Sequence, residues 1–77
     1  MTNKIIIYTT PSCAYCKMAK EYFQSKGFDY EEINVVGNID KQKEMIQKSG
    51  QMGVPVIDIN GKIVIGFDRP KIDSFLN

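Results

Sequence analysis

Two cysteines stand with two residues between them in Cys13-Ala14-Tyr15-Cys16, and the 77-residue chain has no others. A pair at this spacing can bring its sulfurs within bonding distance across one helical turn, so the first chemistry to consider is thiol–disulfide exchange. The setting supports it. The pair follows the β-branched run Lys4–Tyr8 and the turn residues Thr9-Thr10-Pro11-Ser12, and it opens a helical pattern. At a helix start the first backbone N–H groups have no intrahelical partner, and the positive end of the macrodipole favours a thiolate over a thiol. Lys17 adds a cation one turn on. Cys13 therefore reads as the nucleophile. Cys16, one turn inside the helix and partly covered, reads as the resolving thiol. A Cys13 thiolate would attack a disulfide to form a mixed disulfide, and Cys16 would then displace the product.

Other uses of two cysteines compete with this one. Tetrahedral zinc wants four ligands, and the chain has no second pair and no histidine, which argues against a site within one chain. An interchain four-cysteine site across a dimer, making the chain a metal-binding module, stays open at this point. A static disulfide closing so small a loop would contribute roughly 2 kcal/mol in the chain-entropy picture, and a reducing compartment opposes it. A groove that binds peptides without turnover would not need two intact cysteines.

Composition narrows the field further. Ten Lys+Arg against nine Asp+Glu leave a net charge of +1, with no basic field for nucleic acid. The absence of histidine removes Ser-His and Cys-His catalysis. Hydrophobic residues at 43% and charged residues at 25% are ordinary globular values. The longest apolar run, Ile5-Ile6-Ile7-Tyr8, is far short of the ~20 residues of a membrane span. Met1-Thr2-Asn3-Lys4 carries no export signal, so a cytoplasmic protein is expected.

The elements that must hold the pair can be read from the pattern. Lys4–Tyr8 is expected as a buried central strand. Apolar residues at Tyr15, Met18, Ala19, Tyr22 and Phe23 give a first helix its inner stripe, with Gly27 ending it. Asp29–Val35 is expected as a second strand, weakened by Glu31-Glu32. After Gly37, Asn38 or Asp40 can cap a helix to about Ser49 that Gly50 closes, with Ile39 and Ile46 facing the core. Val56–Ile59, Asn60-Gly61 and Lys62–Ile65 read as a hairpin with a type I′ turn. Pro70 suits the first turn of a closing helix with Ile72, Phe75 and Leu76 on one face. The order β-α-β-α-β-β-α predicts one α/β domain over residues 1–77, a four-stranded mixed sheet flanked by three helices. The cysteines lie where the central strand meets the first helix, a usual place for α/β active sites.

Val54-Pro55 opens the third strand, and sequence alone leaves its peptide bond trans by default. Together, Ile7 to Cys16, Gly53-Val54-Pro55 and Gly66-Phe67-Asp68 make the chain resemble the glutaredoxins over nearly its whole length, including Glu44 to Gln51. The resemblance implies a thioredoxin-like fold with sheet order 2-1-3-4 and dithiol exchange without a tightly bound cofactor. It implies a cis Val54-Pro55 bond and a Val54 backbone that pairs with an incoming cysteine-containing peptide like an added strand. It implies glutathione as co-substrate, met by Gln42, Val54, Gly66, Phe67 and Asp68, with protein disulfides as the other partners of a monomer.

The chain departs from the family pattern at several places. Ala14 stands where proline usually follows the first cysteine, and Gly53 replaces a threonine before Val-Pro. Thr10 stands where a lysine or arginine is usual, which removes a cation near both the thiolate and a glutathione carboxylate. Ile65 and Arg69 differ from the usual residues flanking the γ-glutamyl cradle. The run Gly66-Phe67-Asp68-Arg69-Pro70 also resembles the glutaredoxin-like redoxins that serve ribonucleotide reductase and draw electrons from thioredoxin reductase, with Asp68 interposed.

Overall fold

Alternation along the strands decides the layers. Ile5 and Ile7 of the first strand point to one face of the sheet and Tyr8 to the other, as the two-residue period of a strand requires. The computed structural model describes residues 3–76. Met1 and Thr2 of the segment read for an export signal, and the ends of the expected 1–77 domain at Met1, Thr2 and Asn77, lie outside the described residues. The elements run β1 (Ile5–Thr9), α1 (Ala14–Ser25), β2 (Glu31–Asn34), α2 (Ile39–Ser49), β3 (Val56–Ile59), β4 (Lys62–Ile65) and α3 (Arg69–Phe75). Strand order is β2-β1-β3-β4, with β1 parallel to β2 and antiparallel to β3, and β3 antiparallel to β4. This is the thioredoxin-like arrangement that the resemblance implied.

One core, built on Ile5, Ile7, Ile57, Ile59 and Val64, is covered by Ala19 and Phe23 of α1 and Ile72 of α3. The other, with Tyr8, Val35 and Val56, is covered by Met45 of α2. Beneath α2 the buried Tyr8 hydroxyl donates to Glu44, and Lys48 sits 2.9 Å from Asp58 Oδ2 and 5.1 Å from the centre of the Tyr8 ring. Among the described residues no buried side-chain nitrogen or oxygen lacks a partner.

Both expected strand limits move. β1 begins at Ile5 and includes Thr9, because Lys4 meets the hairpin turn instead: its N–H donates to Asn60 Oδ1 and its carbonyl accepts the Asn60 N–H, both at 2.9 Å. β2 is only Glu31–Asn34, since β1 offers Ile6 to Thr9 for parallel pairing and no more. The hairpin is as expected, with Asn60 at φ 54° and Gly61 at φ 88° in the turn.

The helix faces need correction too. On α1 the buried side chains are Cys16, Ala19 and Phe23, whereas Tyr15 and Met18 are 63% and 46% exposed. The inner face starts one residue later than the apolar stripe suggested, and Tyr22 lies at its margin with its ring edge against Phe67. On α2 Met45 is the buried residue, Ile46 is half-buried and Ile39 is exposed. The face bearing Glu44 and Lys48 is tied to Tyr8 and Asp58, and that grip turns Met45 inward rather than Ile39.

The helix ends follow their chemistry. Phe28 N–H bonds the Phe23 carbonyl and Gly27 N–H the Gln24 carbonyl, a Schellman closure that requires the left-handed Gly27. Asn38 caps α2 through its Oδ1, and Asp68 caps α3 with Pro70 in the first turn.

Candidate active site

β1 delivers the chain to the end of the sheet, and the turn after it sets Cys13 at the cap of α1 in an extended conformation. Its Sγ accepts the Cys16 N–H at 3.1 Å, one of the donors a helix start leaves without a helical partner. Its own N–H bonds the Thr10 carbonyl at 3.3 Å, which tightens the turn. The Cys13 thiol points at the Val54 carbonyl, 3.9 Å away. Ala14 and Tyr15 are exposed on the first turn, and Lys17 is exposed with its N–H on the Cys13 carbonyl at 3.2 Å.

Cys16 lies beneath. It is 1% exposed, and both cysteines are free thiols. Burial, then the neighbouring Cys13 sulfur, push the Cys16 thiol up to about 12, against a smaller opposing effect of the Thr10 backbone and Lys20. At neutral pH, therefore, iodoacetamide is expected to label Cys13 well before Cys16 in the reduced protein, with peptide mass analysis as the readout. Equal labelling at early times would contradict the burial of Cys16.

Val54 and Pro55 are brought to the cysteines by a turn whose Val54–Pro55 bond is cis. The buried Pro55 donates no hydrogen bond, but its carbonyl accepts the Gly66 N–H at 2.9 Å, which ties this turn to the one after β4. Gly66 takes φ 77°, a left-handed conformation that a side chain would strain. Phe67 is half-buried against Tyr22, 5.7 Å between ring centres, and Asp68 Oδ1 is engaged in capping α3. Gln42 approaches from α2, but its Nε2 donates to the Val35 carbonyl at 2.7 Å.

Alongside Val54 and Gln42 runs a cavity of about 270 Å³, bordered also by Thr10, Val36, Ile46 and Met52 among others. None of its lining residues is charged, and Met52 is exposed on its rim. Sequence reasoning singled out Gln42 and Val54 here but missed the apolar border, because Val36, Ile46 and Met52 come from different segments. It also missed Lys20, whose place four residues after Cys16 on one helix was the available signal. Among the described residues no group of three or more His, Cys, Asp or Glu side chains could hold a metal ion, and no helix is long and apolar enough to cross a membrane.

The glutaredoxin family model matches residues 5–64. An uncharacterized glutaredoxin-like 8.6 kDa protein in the rubredoxin operon of Clostridium pasteurianum is 44% identical over 72 residues, which are 94% of this chain and 96% of that one. Glutaredoxin 3 of Escherichia coli K12 is 42% identical over 62 residues, 80% of this chain and 75% of its own. Among solved structures, the glutaredoxin-like protein NrdH-redoxin from Escherichia coli, described as having a thioredoxin-like activity profile, superposes with a TM-score of 0.82 at 28% identity, covering 96% of each chain.

Proposed function

The chain belongs to the glutaredoxin family, and from that premise we propose that it is a cytoplasmic dithiol redoxin that reduces protein and glutathione mixed disulfides through Cys13 and Cys16. The observation that carries this reading is the pair itself: one sulfur at the helix cap within reach of a backbone donor, the other buried beneath it. Cys13 attacks, and its partner's leaving thiolate takes a proton from solvent. Cys16 then displaces the bound thiol and leaves the Cys13–Cys16 disulfide. Val54 supplies the backbone edge along which a cysteine-bearing segment adds as a strand, and Pro55, Ala14, Tyr15 and Lys17 surround the exchange.

The disulfide must be reduced again, and glutathione is the donor in this reading. Its cysteine would lie on Val54 and its γ-glutamyl end on the Gly66-Phe67-Asp68 turn. Since the Gly66 N–H is engaged with Pro55, the Phe67 and Asp68 N–H groups are the ones left to meet a carboxylate. Its glycyl carboxylate would fall toward Thr10 and Gln42. A specific observation favours a second reading, in which thioredoxin reductase supplies the electrons and ribonucleotide reductase receives them: the groove beside Cys13 is uncharged and the Gln42 amide is already bonded to Val35.

The deciding experiment offers the oxidised protein glutathione with its reductase in one cuvette and thioredoxin reductase with its nicotinamide cofactor in another. Turnover only in the second would replace glutathione by the reductase. Thr10→Lys is expected to lower the KM for glutathione several-fold by placing a cation at the glycyl end, and an unchanged KM would remove that carboxylate from the Thr10 groove.

A further inference from the structure

Cys16 is buried, and a buried thiol is a poor nucleophile until something favours its thiolate. Lys20 follows Cys16 by four residues on α1, a spacing that sets two side chains on one helix face. Its side chain is 29% exposed, and its Nζ lies 2.9 Å from Glu32 Oε2 on β2. The same oxygen accepts the hydroxyl of the buried Thr9 at 2.8 Å. Thr9 thus fixes one end of the chain of contacts at the tip of β1, and Lys20 occupies the other, one helical turn after Cys16 on the same face of α1.

We propose that Lys20, held by Glu32 and through it by Thr9, is the cation that stabilises the Cys16 thiolate in the resolving step. The proposal rests on the dithiol reading and extends it to the residues that set the rate of its second half. The charges that act on Cys16 come from each neighbouring element. Burial and the Cys13 sulfur oppose its ionised form, whereas the Thr10 backbone in the preceding loop and, more weakly, Lys20 on α1 favour it. Lys20 in turn is held protonated by Glu32, with smaller contributions from Tyr30 and from Cys16 itself. Glu32 is kept ionised by Lys20 and Thr9, so it anchors the cation and is a weak base. The step balances without a further reactant. The Cys16 proton passes to solvent, the Cys16 thiolate forms a bond to Cys13 Sγ, and the bond from Cys13 to the substrate sulfur breaks. The substrate leaves as a thiolate that is reprotonated from solvent.

Dithiobis-nitrobenzoate separates the two halves, because each exchange releases one coloured thiolate. The reduced wild-type chain is expected to release two in sequence, the first by Cys13 and the second by Cys16. Lys20→Met should leave the first phase unchanged, slow the second about tenfold near neutral pH and raise its pH midpoint by about one unit. Lys20→Arg, which keeps the charge, should restore the wild-type second phase. Glu32→Gln should speed the second phase and lower its midpoint, since the cation is then less neutralised. A structural role for Lys20 would change melting temperature without moving that midpoint. A second phase in Lys20→Met with the wild-type rate and midpoint overturns the proposal. A wild-type chain that releases only one thiolate overturns the dithiol reading itself, a different result.

Discussion

Cys13→Ser is expected to reduce disulfide turnover to the background rate, while Cys16→Ser carries out the first exchange and then stops. The asymmetry follows from access. Cys13 is half-buried at the helix cap, facing the carbonyl of Val54, which borders the groove, whereas Cys16 is fully buried. A serine at 13 leaves only the covered sulfur, which protein substrates cannot reach. A serine at 16 leaves the mixed disulfide with nothing to displace it, so denaturing non-reducing gels should show a covalent adduct whose linked residue is Cys13. An adduct joined through Cys16 in the Cys13→Ser protein, formed at the rate seen for wild type, would reverse the two roles.

The second large effect falls on stability. Phe23→Ala should cost about 3–5 kcal/mol, because the ring is fully buried in the core against side chains of β1 and β3, and a cavity replaces it. Domains this small hold toward the low end of the ~5–15 kcal/mol usual for native proteins, so much of the total is at stake. The ring also meets those of Tyr22 and Tyr30, contacts that alanine removes. Urea unfolding followed by circular dichroism measures the loss. A change under about 1 kcal/mol would mean that α1 is not anchored through this residue.

What could be read from the sequence was local. Asn60-Gly61 marked the hairpin because the turn demands positive φ at two adjacent positions, and Gly27 and Gly50 marked helix ends for the same reason. The cysteine pair was placed correctly because a strand, a turn and a helix start succeed one another within a dozen residues. Helix faces were harder. Tyr15 and Met18 belong to the apolar stripe by spacing, yet the sheet selects the stripe of Cys16, Ala19 and Phe23, and no local rule distinguishes two neighbouring stripes on one helix. Ile39 misled similarly, since Tyr8 and Asp58, distant in sequence, fix the rotation of α2 through Glu44 and Lys48. The cis Val54–Pro55 bond came from resemblance, not from residue chemistry. The Thr9–Glu32–Lys20 contacts join three elements and had no signature in any one of them.

The burial of Cys16 also links protons to folding. Its thiol in the folded, reduced chain ionises near 12, whereas an unfolded chain would release that proton near the ordinary thiol value of about 8.5. Between those values the native form binds more protons than the unfolded form, so stability falls as pH rises, and below the lower value the contribution is fully present. Once Cys13 and Cys16 are joined there is no thiol left to titrate, and this alkaline loss disappears. Base should therefore weaken the reduced form more than the disulfide form, and the melting temperature of the reduced protein should fall the more steeply as the solution is made alkaline.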